Sequence, residues 1–251
     1  MKTILITGAA TGIGRAAALL FAARGWNVVL ADINDDACVA LEDEIGSAAM
    51  AVKADTRMRI QIKDAVARAV ARFGAIDAVF ANAGIHRRNT LLDVTDEDFD
   101  LVVKTNIYGT VNTLREAVPA IIEAGGGSVV INASDQAFIG KPGNFVYGLT
   151  KGALAQLTRT AALELASRGV RVNAVCAGTV HTPLVDNIFA RASAVSGESV
   201  ESLWEQERAL FPLRRVATPQ DVAEMVYFLA SDAASFCTGG LYPVDGGITA
   251  G

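Results

Sequence analysis

A chain of 251 residues has room for one large α/β domain or two small ones, with a core that needs no disulfide or metal staple. Hydrophobic residues make up 51% and charged residues 20%, the balance that buried parallel strands between Ala-rich helices produce. A net charge of −5 argues against nucleic acid, which requires a basic surface.

The chain opens Met1-Lys2-Thr3-Ile4-Leu5-Ile6, and its apolar stretch is shorter than the ~7–15 residues of a secretion signal core. It reads as a first β-strand. Further short β-type runs follow, so the strand candidates are 3–6, 27–31, 49–53, 78–81, 128–132, 171–175 and 241–244. Between them lie helical patterns rich in Ala, Leu, Glu and Arg, such as 15–24, 64–73 and 152–168. This alternation predicts an α/β fold, doubly wound, with a mostly parallel seven-stranded sheet covered by helices on both faces. No linker, repeat or low-complexity run interrupts it, so a single domain over 1–251 is expected. The stretch 184–212 breaks the rhythm. It is long, mixed in polarity and holds Phe189, Trp204 and Phe211, which suits a helical flap over a site.

Cys38, Cys176 and Cys237 stand far apart with no CxxC pair, and read as reduced, packed thiols. His86 and His181 are the only histidines and cannot hold a metal alone, so none is expected. No apolar run approaches ~18 residues, so no membrane span is expected and the reading is cytoplasmic.

The first strand runs straight into Thr7-Gly8-Ala9-Ala10-Thr11-Gly12-Ile13-Gly14, and a helical pattern follows. In that strand–turn–helix setting the glycines let backbone approach a pyrophosphate, whose charge rests on the helix N-terminus. The expectation is therefore a Rossmann-type domain. Asp32 ends the second strand, and a carboxylate there can accept hydrogen bonds from the adenosine ribose hydroxyls. Against the 2′-phosphate of NADP it would set two like charges ~4 Å apart, about 4 kcal/mol at an effective dielectric of ~20. No base lies beside it, with Thr11 neutral and Ile33-Asn34 next, so the cofactor expected is NAD.

Tyr147-Gly148-Leu149-Thr150-Lys151 sets a phenol and an amine four residues apart, on one face if helical. A free tyrosine titrates near ~10. A neighbouring ammonium favours the phenolate and would bring that value down.

Taken together, residues 7–14 as TGxxxGxG, Asn82-Ala83-Gly84 after the fourth strand, Asn106, Ser134, and Tyr147 with Lys151 stand in one order. With this set the chain resembles the short-chain dehydrogenase/reductase family over essentially its whole length. The resemblance implies that Tyr147 is the acid/base, that Ser134 holds the substrate oxygen, and that Lys151 binds the nicotinamide ribose. Asn106 would hold a water of a proton relay. Gly8, Thr11, Gly12, Ile13, Gly14, Asp32, Ile33, Asp55, Thr56, Asn82 and Gly84 would line the cofactor, as would Gly178, Val180 and Thr182 after the sixth strand. Asp55 read alone could be a turn former, Ser134 a helix cap, and Asn106 a stabiliser of a helix kink. One departure is visible: the family's Asn-Pro-Gly after that strand is replaced by Cys176-Ala177-Gly178, which puts the loop's rigidity in doubt.

The resulting expectation is an NAD-dependent oxidoreductase that interconverts a secondary alcohol and a ketone. A 3-oxoacyl-thioester or hydroxysteroid reductase is the alternative within the family, and a non-catalytic NAD-sensing regulator the alternative outside it. Around the nicotinamide the family layout would place His86, Gln136, Asn144 and His181, with Arg87, Asp135 and Lys141 near them. These polar groups predict a small polar substrate: a sugar, a polyol or a hydroxy acid. The resemblance also implies a homotetramer, with helices near 106–124 and 147–167 at the contacts.

Overall fold

The computed structural model describes residues 1–250. Among these, seven strands form one sheet in the order β3-β2-β1-β4-β5-β6-β7, every pair parallel. They are β1 (Thr3–Thr7), β2 (Asn27–Asp32), β3 (Ala49–Lys53), β4 (Ala78–Ala81), β5 (Gly127–Asn132), β6 (Val170–Ala177) and β7 (Leu241–Val244). The expected "mostly parallel" sheet is thus wholly parallel.

Alternate residues of each strand feed two cores, one on each face. Ile4, Ile6, Val28, Leu30 and Phe80 point to one side, where α1 (Gly12–Ala23) brings Phe21 and α9 (Pro219–Ala230) brings Val226 and Leu229. Leu5, Val29, Val79 and Val129 point to the other. There α3 (Arg59–Phe73) supplies Ile62, α5 (Gly109–Glu123) supplies Leu114 and Ile121, and α6 (Phe145–Leu165) supplies Leu154. Burial on both faces explains why the strands read as continuous apolar runs. Helix α2 (Asp35–Ile45) starts where Asn34 accepts from the Ala37 amide at 3.2 Å, with Asp35 and Asp36 in the first turn.

Three features bring the site together. First, α6 begins seven residues before the helical pattern at 152, and so carries both Tyr147 and Lys151. Second, α4 (Asp96–Val103) passes into α5 through a π-helical turn, Lys104–Tyr108, that holds Asn106. Third, the stretch 184–212 is largely two helices, α7 (Pro183–Ser196) and α8 (Val200–Leu210), joined through Gly197 at φ 77°. No helix among the described residues is long and apolar enough to cross a membrane.

Candidate active site

The order of strands reverses between β1 and β4, and loops leaving their C-terminal ends part there to open a cleft of about 410 Å³. Gly8, Thr11, Gly12 and Ile13 form one lip. Asp32, Ile33, Asp55 and Thr56 form the far end, and Asn82 and Gly84 the other lip. Gly14 lies beneath the lip, where a Cβ would stand 2.0 Å from the Gly8 carbonyl oxygen. Asn82 locks the turn from below, its Nδ2 donating to the carbonyls of Thr7 at 2.9 Å and Gly8 at 3.0 Å. The Asp32 carboxylate accepts from the backbone amides of Ala10 at 3.1 Å and Asn34 at 3.0 Å. The loop and the carboxylate are therefore held as one unit. The backbone bends closely here, and a dinucleotide fits such a cradle.

The sequence shows no base next to Asp32, but the fold brings two arginines into the cleft. Arg57 binds Asp55 through Nη2 at 2.6 Å and holds its carboxyl below the usual carboxylate range. Arg87 faces Asp98 at 3.3 Å. Both guanidiniums are engaged by carboxylates of this chain; Arg57 stands two residues from Asp55, but its approach to the Asp32 end of the cleft comes only with the fold.

Beside the cleft lies a second cavity of about 550 Å³, and Tyr147 lines both. Lys151, one helical turn on, is buried, with its Nζ 5.3 Å from the Tyr147 ring centre and donating to the Asn132 carbonyl at 2.7 Å. Burial pulls the Lys151 ammonium down to about 8, against a smaller upward pull from Cys176. Burial pushes the Tyr147 phenol above its ordinary range; the Asp135 charge adds to the rise and bonding to Ser134 opposes it. The lowering expected from Lys151 is therefore not met in the free protein, because enclosing the phenol penalises its charged form.

Ser134 caps a short 3₁₀ turn, Asp135–Ala137, accepting from the Gln136 amide at 3.2 Å and donating to Asp135 Oδ1 at 2.7 Å. Asn106 is buried with its carboxamide fully engaged. Its Oδ1 accepts from the Ile85 amide at 2.8 Å, and its Nδ2 donates to Ile85 O at 3.0 Å and to Thr150 Oγ1 at 3.1 Å. It fastens the loop after β4 to α6, directly between Tyr147 and Lys151 in sequence.

The second cavity has two unlike walls. Loops after β4 and β5 present His86, Gln136, Lys141 and Asn144, while α7 presents Leu184, Val185, Ile188 and Phe189. The His86 ring lies 4.8 Å from that of Tyr147 and is hydrogen-bonded to Asn144 Oδ1. Burial, aided by Arg88 and Arg87, lowers the His86 pKa despite that bond.

A family model described as enoyl-(acyl carrier protein) reductase matches residues 8–249. The oxidoreductase UcpA of Salmonella typhimurium is 41% identical, over 99% of this chain and 94% of its own. Cyclohexanol dehydrogenase of Acinetobacter sp. is 40% identical, over 99% and 95%. A solved structure of 3-ketoacyl-(acyl-carrier-protein) reductase from Brucella melitensis, complexed with NADH, superimposes at TM-score 0.89 with 33% identity, over 99% and 98%. The chain belongs to the short-chain dehydrogenase/reductase family.

As a short-chain dehydrogenase/reductase it is an oxidoreductase acting on CH–OH groups. Its departure after β6 has a structural counterpart. Without proline the strand runs on through Cys176 and Ala177, paired with Pro243 and Val244 of β7. Gly178 then donates to Val244 O at 3.1 Å, and a Cβ on it would stand 2.8 Å from the Phe211 ring. Strand pairing thus replaces the proline as the source of stiffness. Gly178 and Val180 line the second cavity, and Thr182 lines both cavities. His181 lines neither. Its amide is held by Ala217 O at 2.9 Å, and its exposed ring pairs with Asp186 at 3.2 Å and packs 4.5 Å from Trp204. Of the flap aromatics only Phe189 lines that cavity, since Trp204 backs Phe189 and Phe211 is buried against Gly178 and Gly246. Glu207 of α8 also lines the cavity, tied to the Thr179 hydroxyl. Nothing in the local pattern around Glu207 marked it, because it arrives there by the folding back of α8.

Proposed function

We propose that this short-chain dehydrogenase/reductase uses NAD(H) to interconvert a secondary alcohol and a ketone on a small polar substrate: a sugar, a polyol or a hydroxy acid. The observation that carries the reading is the place of Tyr147, at the junction of the dinucleotide-shaped cleft and the second cavity, between Ser134 and Lys151. A nicotinamide bound in the cleft supplies the hydride acceptor or donor. Tyr147 exchanges the hydroxyl proton, Ser134 holds the reacting oxygen, and Lys151 presents its ammonium beside the phenol. Asn106 ties the loop after β4 to α6, the helix that carries Tyr147 and Lys151.

Asp32 supports the choice of NAD. Its carboxylate lines the cleft, and the two arginines nearby are already bound to Asp55 and Asp98. The Brucella relative is complexed with NADH, in keeping with this. The ratio of kcat/KM for NAD over NADP is expected to exceed ~10, about 1.4 kcal/mol, and Asp32→Ala to erode it mainly by weakening NAD. Equal use of both cofactors by the unaltered enzyme contradicts the assignment.

The polar loops His86, Gln136, Lys141 and Asn144 support a hydroxyl-rich substrate: His86 Nδ1 is buried with no partner among the described residues, and an apolar ligand would leave it so at a cost of ~1–3 kcal/mol. The α7 wall of Leu184, Val185, Ile188 and Phe189 favours a second reading, an apolar cyclic alcohol, and cyclohexanol dehydrogenase is a relative of that description. NADH formation on sugars and polyols, set against cyclic alcohols and hydroxyacyl thioesters, separates the two. A tenfold advantage for the apolar group selects the second reading.

Exposed Tyr108 on the π-helical turn, with Leu149 and Leu163 on α6, supports assembly as a homotetramer, which light scattering reads directly. The three cysteines are unpaired among the described residues, in keeping with a cytoplasmic setting.

A further inference from the structure

Asp135 follows Ser134 directly and is 2% exposed. One of its oxygens accepts the Ser134 hydroxyl proton at 2.7 Å, and the other pairs with Lys141 Nζ at 2.7 Å. Lys141 comes from the loop before α6, and both residues line the cavity that Tyr147 faces. A carboxylate at that depth carries a desolvation cost that an uncharged turn residue would avoid. A strap between two loops would not require the reacting serine as its third member.

We propose that Asp135 and Lys141 are positioning residues for the reacting hydroxyls: Asp135 fixes the Ser134 proton, and Lys141 balances the Asp135 charge against Tyr147. The proposal rests on the reading of Tyr147 as the acid/base.

A serine hydroxyl has one proton. Given to Asp135, it is withheld from the Tyr147 oxygen, whose charged form a proton from Ser134 would favour. The Asp135 charge also opposes the phenolate. Both effects keep the proton on Tyr147, and Lys141 works against both. The other titratable and charged groups at this cavity include Glu207 of α8, tied to the Thr179 hydroxyl, and Arg88 on the loop after β4. Lys151 lies on the same helix as Tyr147, His86 on the loop after β4, and Cys176 on β6 close to Lys151. Burial pushes His86 toward its neutral form, so among the charges nearest the phenol the Asp135–Lys141 balance sets where Tyr147 gives up its proton.

The test is kcat/KM for alcohol oxidation against pH in four proteins: wild type, Asp135→Asn, Lys141→Met and the double variant. Asp135→Asn keeps an acceptor for Ser134 and removes the charge, so the acid limb should move down by at least about 0.5 pH unit. Lys141→Met unmasks Asp135, so the limb should move up by a similar amount. The double variant should fall between. A purely structural strap loses stability and activity in both variants with the limb unmoved; that result, or two shifts of the same sign, overturns the proposal. If Asp135→Asn fails to fold, as judged by thermal melts, Lys141→Met decides by the direction of its own shift. Tyr147→Phe is run alongside. If it is inactive, the acid/base reading stands and unmoved limbs count against the Asp135–Lys141 pair alone. If it keeps its turnover, both fall.

Discussion

Gly14 is the residue at which the cofactor loop has least room. A Cβ there would stand 2.0 Å from the Gly8 carbonyl oxygen and 2.8 Å from Asn82 Nδ2, so backbone rather than a flexible side chain would have to move. Gly14→Ala is expected to weaken dinucleotide binding by at least ~10-fold in a fluorescence titration, because the helix N-terminus loses its close approach to phosphate. An unchanged affinity would show that the loop does not carry the pyrophosphate. Gly14, Asp32 and Tyr147–Lys151 were legible in the sequence because each sits at a fixed offset from a strand end or a helical turn. The Arg57–Asp55 and Arg87–Asp98 pairs, and the link from Ser134 through Asp135 to Lys141, were not. Arg57 and Asp55 share one loop, but its turning into the cleft is tertiary, and the other contacts join separate segments, which no local spacing records. His181 misled for the same reason: the sequence places it after β6 but does not show that Trp204 of α8 draws its ring away from the cavity.

Helix α9 shows how an element far from the chemistry holds the site in place. Thr218 and Asp221 form a capping box, and Asp221 also binds Arg215 at 2.7 Å. Just before the cap, Ala217 donates to Thr179 O and accepts from the His181 amide, both at 2.9 Å, which pins the loop after β6. Asp221→Ala is expected to cost about 1–2 kcal/mol in urea denaturation at neutral pH. Arg215 and the Thr218 bonds hold the Asp221 carboxyl below its ordinary value. The stabilisation is therefore present above the unfolded carboxylate pKa, and the gap between wild type and variant should narrow as pH falls below about 4. A gap that widens toward acid would contradict the pairing. At this scale the strands at 49–53, 78–81 and 241–244 have the bounds their apolar runs predict. The start of α6 does not, since Gly148 and Gly152 weaken the helical pattern over its first two turns. Tertiary contacts supply what propensity lacks: the Asn89 carbonyl accepts from the Phe145 amide at 3.1 Å, and Asn89 Oδ1 accepts from the Val146 amide at 3.2 Å.

Across the whole molecule, a parallel sheet gathers the C-terminal ends of its strands on one edge, and the reversal of order between β1 and β4 parts the loops there. One cleft follows from that topology. The second cavity needs α7 and α8 to wall it, and Tyr147 on α6 belongs to both. If that junction is where hydride and proton leave the substrate together, deleting one proton should stop turnover without disturbing the cleft. The most direct measurement is NADH formation by wild type and Tyr147→Phe on an accepted secondary alcohol, with NAD affinity titrated in both. The account predicts at least a ~10²-fold loss of turnover with NAD affinity changed by less than about threefold. Tyr147→Phe that keeps most of its turnover would contradict it.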